Sequence, residues 1–146
     1  MKLEQAILKN LVYNEDYLRK VLPFIKPDYF SDRTERTIFN EITSFTEAYN
    51  NSPSIEAIGI AIKEKNTLTD DEVKNCQTYL QEIEANRTAE AEIQWLVDKT
   101  EKFCQEKAIY NGVLRAISIL DGKDKSHDKG AIPTILSDAL AVSFDT

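Results

Sequence analysis

The sequence predicts an all-α fold: a small helical globule followed by a protruding helical hairpin. Two observations lead to this prediction. Apolar residues recur at helical spacing along almost all of the 146 residues, and polar residues stand where helices are usually capped. The Ile-rich stretch 55–62 also fits a strand, but no second candidate exists to pair with it, so we favour a helix there.

The first part of the chain contains three predicted helices. Residues 3–12 form an amphipathic stripe, and a second helix begins after the capping residue Asn14 and stops at Pro23. Residues 27–30 read as a turn that presents an aromatic anchor. The third helix opens at Asp32, which forms a capping box with the glutamate three residues later.

Two further helices follow a break at residues 50–53. Ser54 can cap the first, and Thr69 opens the second with a capping box. The acidic residues 70–72 could instead bind a metal. Carboxylates in a first helical turn are much more often complements of the helix dipole, and we favour that interpretation.

The chain after Thr88 is predicted to form the hairpin. Helical spacing continues to Asp121, a rod of ~33 residues and roughly 50 Å, longer than the ~38 Å diameter of a compact chain of this size. Gly112 could mark a kink. A mobile polar loop, 121–130, and a short helix, 132–142, complete the hairpin. The apolar face of the long helix is predicted to contain Ile93, Leu96, Val97, Thr100, Cys104, Ala108, Val113, Ile117 and Leu120.

We therefore divide the chain into a globular subdomain, residues 1–87, and a hairpin subdomain, residues 88–146. Cys76 and Cys104 fit no zinc spacing and are expected to be reduced, buried thiols. The single histidine, His127, lies in the polar loop without a second ligand nearby, so we expect a solvated side chain.

Composition excludes several classes of function. The chain has 18 basic and 25 acidic residues, a net charge of −7, and the charge is spread evenly. Direct binding to duplex DNA requires clustered Lys and Arg, so it is disfavoured. The longest apolar run, 57–62, is too short to span a membrane. We expect a cytoplasmic protein.

No catalytic motif is present. The four glycines do not form a phosphate-binding loop, and neither G-x-G-x-x-G nor H-E-x-x-H occurs. With one histidine, a nucleophile–histidine site is disfavoured. We predict no catalytic, cofactor-binding or metal-binding residues in this segment.

Aromatic residues on one flank of the long helix leave two interpretations open. Trp95, Phe103 and Tyr110 either pack inside the chain against the short helix or contact a second subunit, because aromatic side chains are enriched at interfaces. The predicted subunit or partner interface comprises Trp95, Phe103, Tyr110, Leu114, Ile117, Ile135, Leu136 and Leu140.

The order of these segments resembles a known family. Residues 3–42 resemble the opening of the DnaB-type replicative helicases, including the aromatic turn at 26–30 and the R-x-I-F element at 36–39. Residues 95–111 and 130–145 resemble the corresponding region of the helicases of T-even-type bacteriophages. Two positions depart from the bacterial pattern: Lys9 replaces a common glycine and Glu35 a frequent histidine.

The resemblance implies the amino-terminal domain of a hexameric ring helicase. In the family, hairpins pair between subunits to build a collar that docks primase and helicase loader. ATP and Mg are expected only in the motor domain, which is missing from this sequence. The chain ends at Thr146 in an apolar segment, and we expect a longer parent protein, in the host cytoplasm if phage-encoded.

Two alternatives remain. A free-standing phage adaptor, such as a helicase loader or inhibitor that binds the host or phage replisome, would also be acidic and helical. A DNA-binding regulator would need a basic recognition helix, which the net charge of −7 disfavours.

Overall fold

The computed structural model describes residues 1–90 and 92–145, and over these ranges it contains seven α-helices and no strand. The predicted all-α fold is confirmed, and the Ile-rich stretch is a helix. The helices are α1 (Leu3–Tyr13), α2 (Glu15–Val21), α3 (Arg33–Tyr49), α4 (Ile55–Glu64), α5 (Asp70–Ala85), α6 (Ile93–Leu120) and α7 (Ile132–Leu140). Short 3₁₀ turns occur at Leu22–Phe24, Pro27–Tyr29 and Lys129–Ala131.

Three predicted helix starts are confirmed by their capping bonds. At α5 the capping box is complete: the Glu72 amide donates to Thr69 Oγ1 at 3.1 Å, and the Thr69 amide donates to Glu72 Oε1 at 3.2 Å. The side chains of Ser54 and Asn14 accept backbone amides at the starts of α4 and α2. Each bond satisfies an amide that the helix itself leaves unpaired.

The capping box predicted at α3 is only half correct. Asp32 accepts the amides of the second and third helical residues, but Glu35 does not return to the cap. Its carboxylate is 1% exposed, accepts the Tyr79 hydroxyl at 2.7 Å and lies 3.3 Å from Lys2 Nζ. Glu35 therefore joins α3 to α5 and to the amino terminus.

The first compact unit, Met1–Val97, packs around α3, which contacts α1, α4 and α5. Phe30 is fully buried and its ring centroid lies 5.2 Å from that of Phe39, which confirms the predicted aromatic anchor. The fully buried large side chains are Ile7, Leu8, Leu11, Tyr17, Leu18, Phe30, Ile38, Phe39, Ile42, Ile58, Ile62 and Ile83.

A buried lysine holds the end of α5. Lys9 is 4% exposed, and its ammonium donates to the carbonyl of Asn86 at 3.4 Å and to that of Ala89. Turn hydrogen bonds continue after α5, with the Ala89 amide donating to the Asn86 carbonyl at 3.0 Å. The chain therefore turns before α6, and the prediction that the long helix starts at Thr88 is wrong: α6 begins at Ile93 and has 28 residues, about 42 Å.

The second compact unit, Asp98–Thr146, contains most of α6, the connection and α7. Gln105 Nε2 donates to the Val142 carbonyl at 3.1 Å, and the Phe144 amide donates to Glu101 Oε2 at 2.7 Å. These bonds join the middle of α6 to the residues after α7, and Gly112, further along α6, lies against Ala139 and Ile135 within α7. The two helices are therefore antiparallel, as the predicted hairpin requires. The contacts divide the chain at Val97, beyond the predicted boundary; subdomains 1–87 and 88–146 stay a prediction.

Candidate interaction surface

A row of large apolar side chains lies exposed on the last three turns of α6. We call it the α6 stripe. Its members recur at helical spacing on one face and are between 40% and 61% exposed. They are Ile109, Tyr110, Val113, Leu114, Ile117 and Leu120.

The opposite face of α6 explains why these large side chains lie outside. Around Gly112 this face consists of small residues: Ala108, Gly112 and Ala116 are buried at four-residue spacing. A Cβ added at Gly112 would lie 3.0 Å from the Cβ of Ala139 on α7. Helix α7 therefore packs against the face of α6 that has the smallest side chains, and the two helices come close together at Gly112. The helix continues through Gly112, which serves as a packing site.

The same face of α6 changes character before the α6 stripe. Charged residues occupy the equivalent positions one or two heptads earlier. Glu106 and Lys99 precede Val113 by 7 and 14 residues, and Lys102 precedes Ile109 by 7. All three side chains are exposed. Between residues 98 and 120 of α6, the exposed large apolar side chains therefore lie within residues 109–120, a length of about 17 Å.

The loop carries a cluster that resembles a catalytic triad in composition. Asp124 accepts hydrogen bonds from the hydroxyl and the amide of Ser126, which hold the pKa of the Asp124 carboxyl low, at about 2. His127 Nδ1 lies 3.0 Å from Ser126 Oγ and 3.1 Å from Asp124 Oδ2. Both partners meet the same ring nitrogen, so the imidazole cannot relay a proton between them as in a Ser-His-Asp site. His127 is 40% exposed, the solvated loop residue predicted.

The buried titratable groups have structural partners. Burial, together with the hydrogen bond to Glu35, raises the pKa of Tyr79, and the Glu35 carboxylate raises the pKa of Lys2. Burial also raises the pKa of both free cysteines, that of Cys104 to about 12, which confirms the predicted buried thiols. Within residues 1–90 and 92–145, no group of three or more His, Cys, Asp or Glu residues is placed to hold a metal ion.

No helix in the described part of the chain is long and apolar enough to cross a membrane.

Comparison with known proteins decides the family. Residues 1–99 match the family model described as the DnaB-like helicase N terminal domain. The chain belongs to this family. The resemblance identified from the sequence is confirmed.

A phage relative supports the assignment. The DnaB-like replicative helicase of Enterobacteria phage T4 is 30% identical over 150 residues, covering 97% of this chain and 31% of the relative. This DnaB-like domain thus spans about a third of the length of that relative.

A solved structure shares the fold. The N-terminal domain of DnaB helicase from Mycobacterium tuberculosis matches with a TM-score of 0.63 at 10% identity, covering 94% of this chain and 93% of that one. At this identity the likeness concerns the fold alone.

The exposure of the predicted interface residues in this DnaB-like domain divides them into two groups. Tyr110, Leu114 and Ile117 lie in the α6 stripe. Leu136 is partly exposed and Leu140 is 70% exposed, both on α7. For these five the interface assignment stays a prediction.

Three other residues of the prediction differ in position. Phe103 and Ile135 are only 5% and 9% exposed, so their inclusion in the predicted surface is corrected: both side chains pack inside the chain. For Phe103 this is the other interpretation that the sequence left open. Trp95 is 51% exposed but belongs to the first compact unit, outside the α6 stripe.

The interface predicted from the sequence left out three members of the α6 stripe. Val113 and Leu120 were named on the apolar face of the long helix but not in the interface, and Ile109 was not singled out; all three are exposed. The four-residue repeat of Ala108, Gly112 and Ala116 was the available signal, because small residues permit the closest helix approach.

Proposed function

We propose that this DnaB-like domain is the assembly and partner-docking domain of a hexameric, ATP-dependent replicative DNA helicase. In this proposal two copies pair through the α6 stripe within the ring, and the assembled domains dock primase and helicase loader. The domain acts in DNA replication in the cytoplasm, that of the host cell if it is phage-encoded.

The α6 stripe is the observation that carries the proposal. Monomeric proteins rarely expose a contiguous apolar patch without an interaction to cover it. Here six large side chains, one of them an aromatic, share a single helix face. Apolar burial contributes about 25 cal/mol per Å², so covering this face with a second copy is favourable. It requires no change in the compact unit Met1–Val97.

The division of labour within the parent protein is part of the proposal. ATP and Mg would be held by a motor domain outside this chain, and strand separation would belong there. This domain would bind protein partners and contribute no catalytic group, metal ligand or cofactor ligand. Its net charge of −7 supports protein–protein contacts over direct DNA binding.

Sedimentation equilibrium of the 146-residue chain tests the pairing. Ile117→Asp places a charge in the α6 stripe, where Ile117 is 47% exposed; Ile60→Asp does the same on α4, where Ile60 is 50% exposed. We expect the wild-type chain and Ile60→Asp to dimerise and Ile117→Asp to be monomeric. A strictly monomeric wild-type chain at high concentration, or equal behaviour of the two variants, contradicts pairing through this face.

Titration calorimetry tests partner docking separately. The wild-type chain is titrated with a primase and with a helicase loader from the same source as the chain. We expect saturable binding of at least one of them. If neither binds the wild-type chain, while the chain dimerises, the docking part of the proposal is wrong and the assembly part stands.

A further inference from the structure

A charged row beside the α6 stripe suggests how two copies would be aligned. Lys107, Leu114 and Asp121 are separated by seven residues each, so they lie in one row along the helix surface. The Asp121 amide donates to the Ile117 carbonyl at 2.9 Å, which continues the helical hydrogen-bond pattern to that position. The row therefore has a cation at one end, an apolar centre and an anion at the other end.

The two charges are available to an outside partner. Asp121 is exposed and Lys107 is partly exposed, with its Nζ 5.9 Å from the centroid of the Phe103 ring on the same helix. Neither side chain takes part in an ion pair within residues 1–90 and 92–145. Leu114, midway between them, is 46% exposed.

We propose that two copies of this chain pair with α6 antiparallel about a two-fold axis at Leu114, so that Lys107 of each copy forms an ion pair with Asp121 of the other. The inference rests on the proposed function and adds the orientation, the register and the residues that select them.

Symmetry and charge carry the inference. A two-fold interface brings the same patch of both copies together. With the axis at Leu114, each charge lies about 10.5 Å from the axis, on opposite sides, so Lys107 meets Asp121 twice. Residues on the same flank of an antiparallel helix pair face each other, which this row satisfies.

The parallel alternative places like charges together. In a parallel two-fold pair the rows of the two copies lie on opposite sides of the interface, so Lys107 and Asp121 do not meet across it. Glu106, in line with the centre of the stripe at its upstream end, would face its own copy. Like charges in direct opposition are destabilising. A shift of one turn along the antiparallel pair would also move each Lys107 away from its Asp121, so the row specifies register as well as orientation.

Charge reversal of the full chain tests the inference, with dimer Kd measured by sedimentation equilibrium at low salt. In Lys107→Glu and in Asp121→Lys, two attractions become two repulsions, and we expect Kd to rise about tenfold in each. The double variant Lys107→Glu/Asp121→Lys restores both pairs and should return Kd to within about threefold of wild type. At 1 M salt, where the screening length is about 3 Å, the differences should shrink.

A matched control separates register from general charge effects. Arg115 is exposed on the same helix, half a turn away from the centre of the stripe, so Arg115→Glu changes the charge equally and should leave Kd unchanged. If the single variants do not weaken the dimer, or the double variant does not recover, the antiparallel register is wrong. If Ile117→Asp nevertheless disrupts the dimer, the two copies still pair through the α6 stripe and only the register is refuted. If the wild-type chain forms no dimer, both proposals are wrong.

Discussion

Replacing Lys9 by methionine tests whether a buried ammonium stabilises the end of α5. Methionine keeps an unbranched apolar side chain in the site but removes the donor to the carbonyls of Asn86 and Ala89. Both accepting residues are exposed, so water can replace part of what is lost. The perturbation is thus limited to one charge and its two hydrogen bonds.

The magnitude follows from these contacts. A hydrogen bond from a charged donor contributes about 1.5–3 kcal/mol, and the 3.4 Å contact with Asn86 adds little to the bond with Ala89. The carbonyls at a helix carboxyl end also favour a cation. Partial replacement by water and relief of ammonium desolvation reduce the loss. We expect Lys9→Met to lower the free energy of unfolding by about 1–2 kcal/mol.

Urea unfolding and thermal melting measure this effect. At roughly 4 °C per kcal/mol, Tm should fall by about 4–8 °C, and the amides of residues 87–89 should exchange hydrogen faster. Lys20→Met, an exposed lysine on α2, is the control and should change stability by less than about 0.5 kcal/mol. If Lys9→Met matches the control or is more stable than wild type, the desolvation of the ammonium outweighs its hydrogen bonds and the reasoning is refuted.

Three further predictions use other contacts. Gly112→Ala should be less stable than Gly59→Ala by about 1–2 kcal/mol in urea unfolding. The added Cβ would lie 3.0 Å from the Ala139 Cβ at position 112, but 3.6 Å from Gln77 Oε1 at position 59. Equal stabilities would contradict close packing of α7. Tyr79→Phe removes the hydroxyl that donates to the buried Glu35 carboxylate, so the free energy of unfolding in urea should fall by about 1–3 kcal/mol. An unchanged stability would show that the Glu35 carboxylate does not need this bond. The Asp124 carboxyl carbon should titrate by NMR with a midpoint at about 2. Because this folded-state pKa is depressed, the turn that the carboxylate stabilises should be intact at neutral pH and weaken as pH falls through that value. A midpoint in the ordinary range of Asp would contradict the hydrogen bonds to the turn.

Helix starts were predictable because their signals are local. The bonds that cap α5 join Thr69 and Glu72, three residues apart, and the bond from Ser54 to the Ala57 amide has the same span. Such contacts form within one turn whatever the rest of the chain does. The local sequence is therefore sufficient to place them.

Partners of buried charges were not predictable. Lys9 binds a carbonyl 80 positions away, and Glu35 binds a hydroxyl 44 positions away. At Asp32 the local signal even suggested a capping box, but the tertiary partners of Glu35 bind its carboxylate instead. Only the packing of α1 and α3 against α5 brings these groups together, and periodicity does not contain that information.

The helix that carries the candidate surface was predictable from the sequence, but the side of the helix that is exposed was not. The second half of α6 has apolar residues on both sides, so periodicity alone cannot tell which side faces α7. The apolar face predicted from the sequence combines Ala108, which is buried, with Val113 and Ile117, which are exposed. The structure buries Gly112 and Ala116 together with Ala108, because the smaller side chains allow α7 to come closer.

If two copies pair through the α6 stripe as proposed, the exposed apolar face of α6 links the folding equilibrium to the amount of protein in solution. Self-association through that face withdraws native chains from the folding equilibrium, so dilution lowers the melting temperature and concentration raises it. Unfolding curves of variants are then comparable only at a fixed chain concentration. In the proposed ring, where neighbouring copies would be held together, the local concentration would be permanently high, and each subunit would gain stability that the solitary chain lacks.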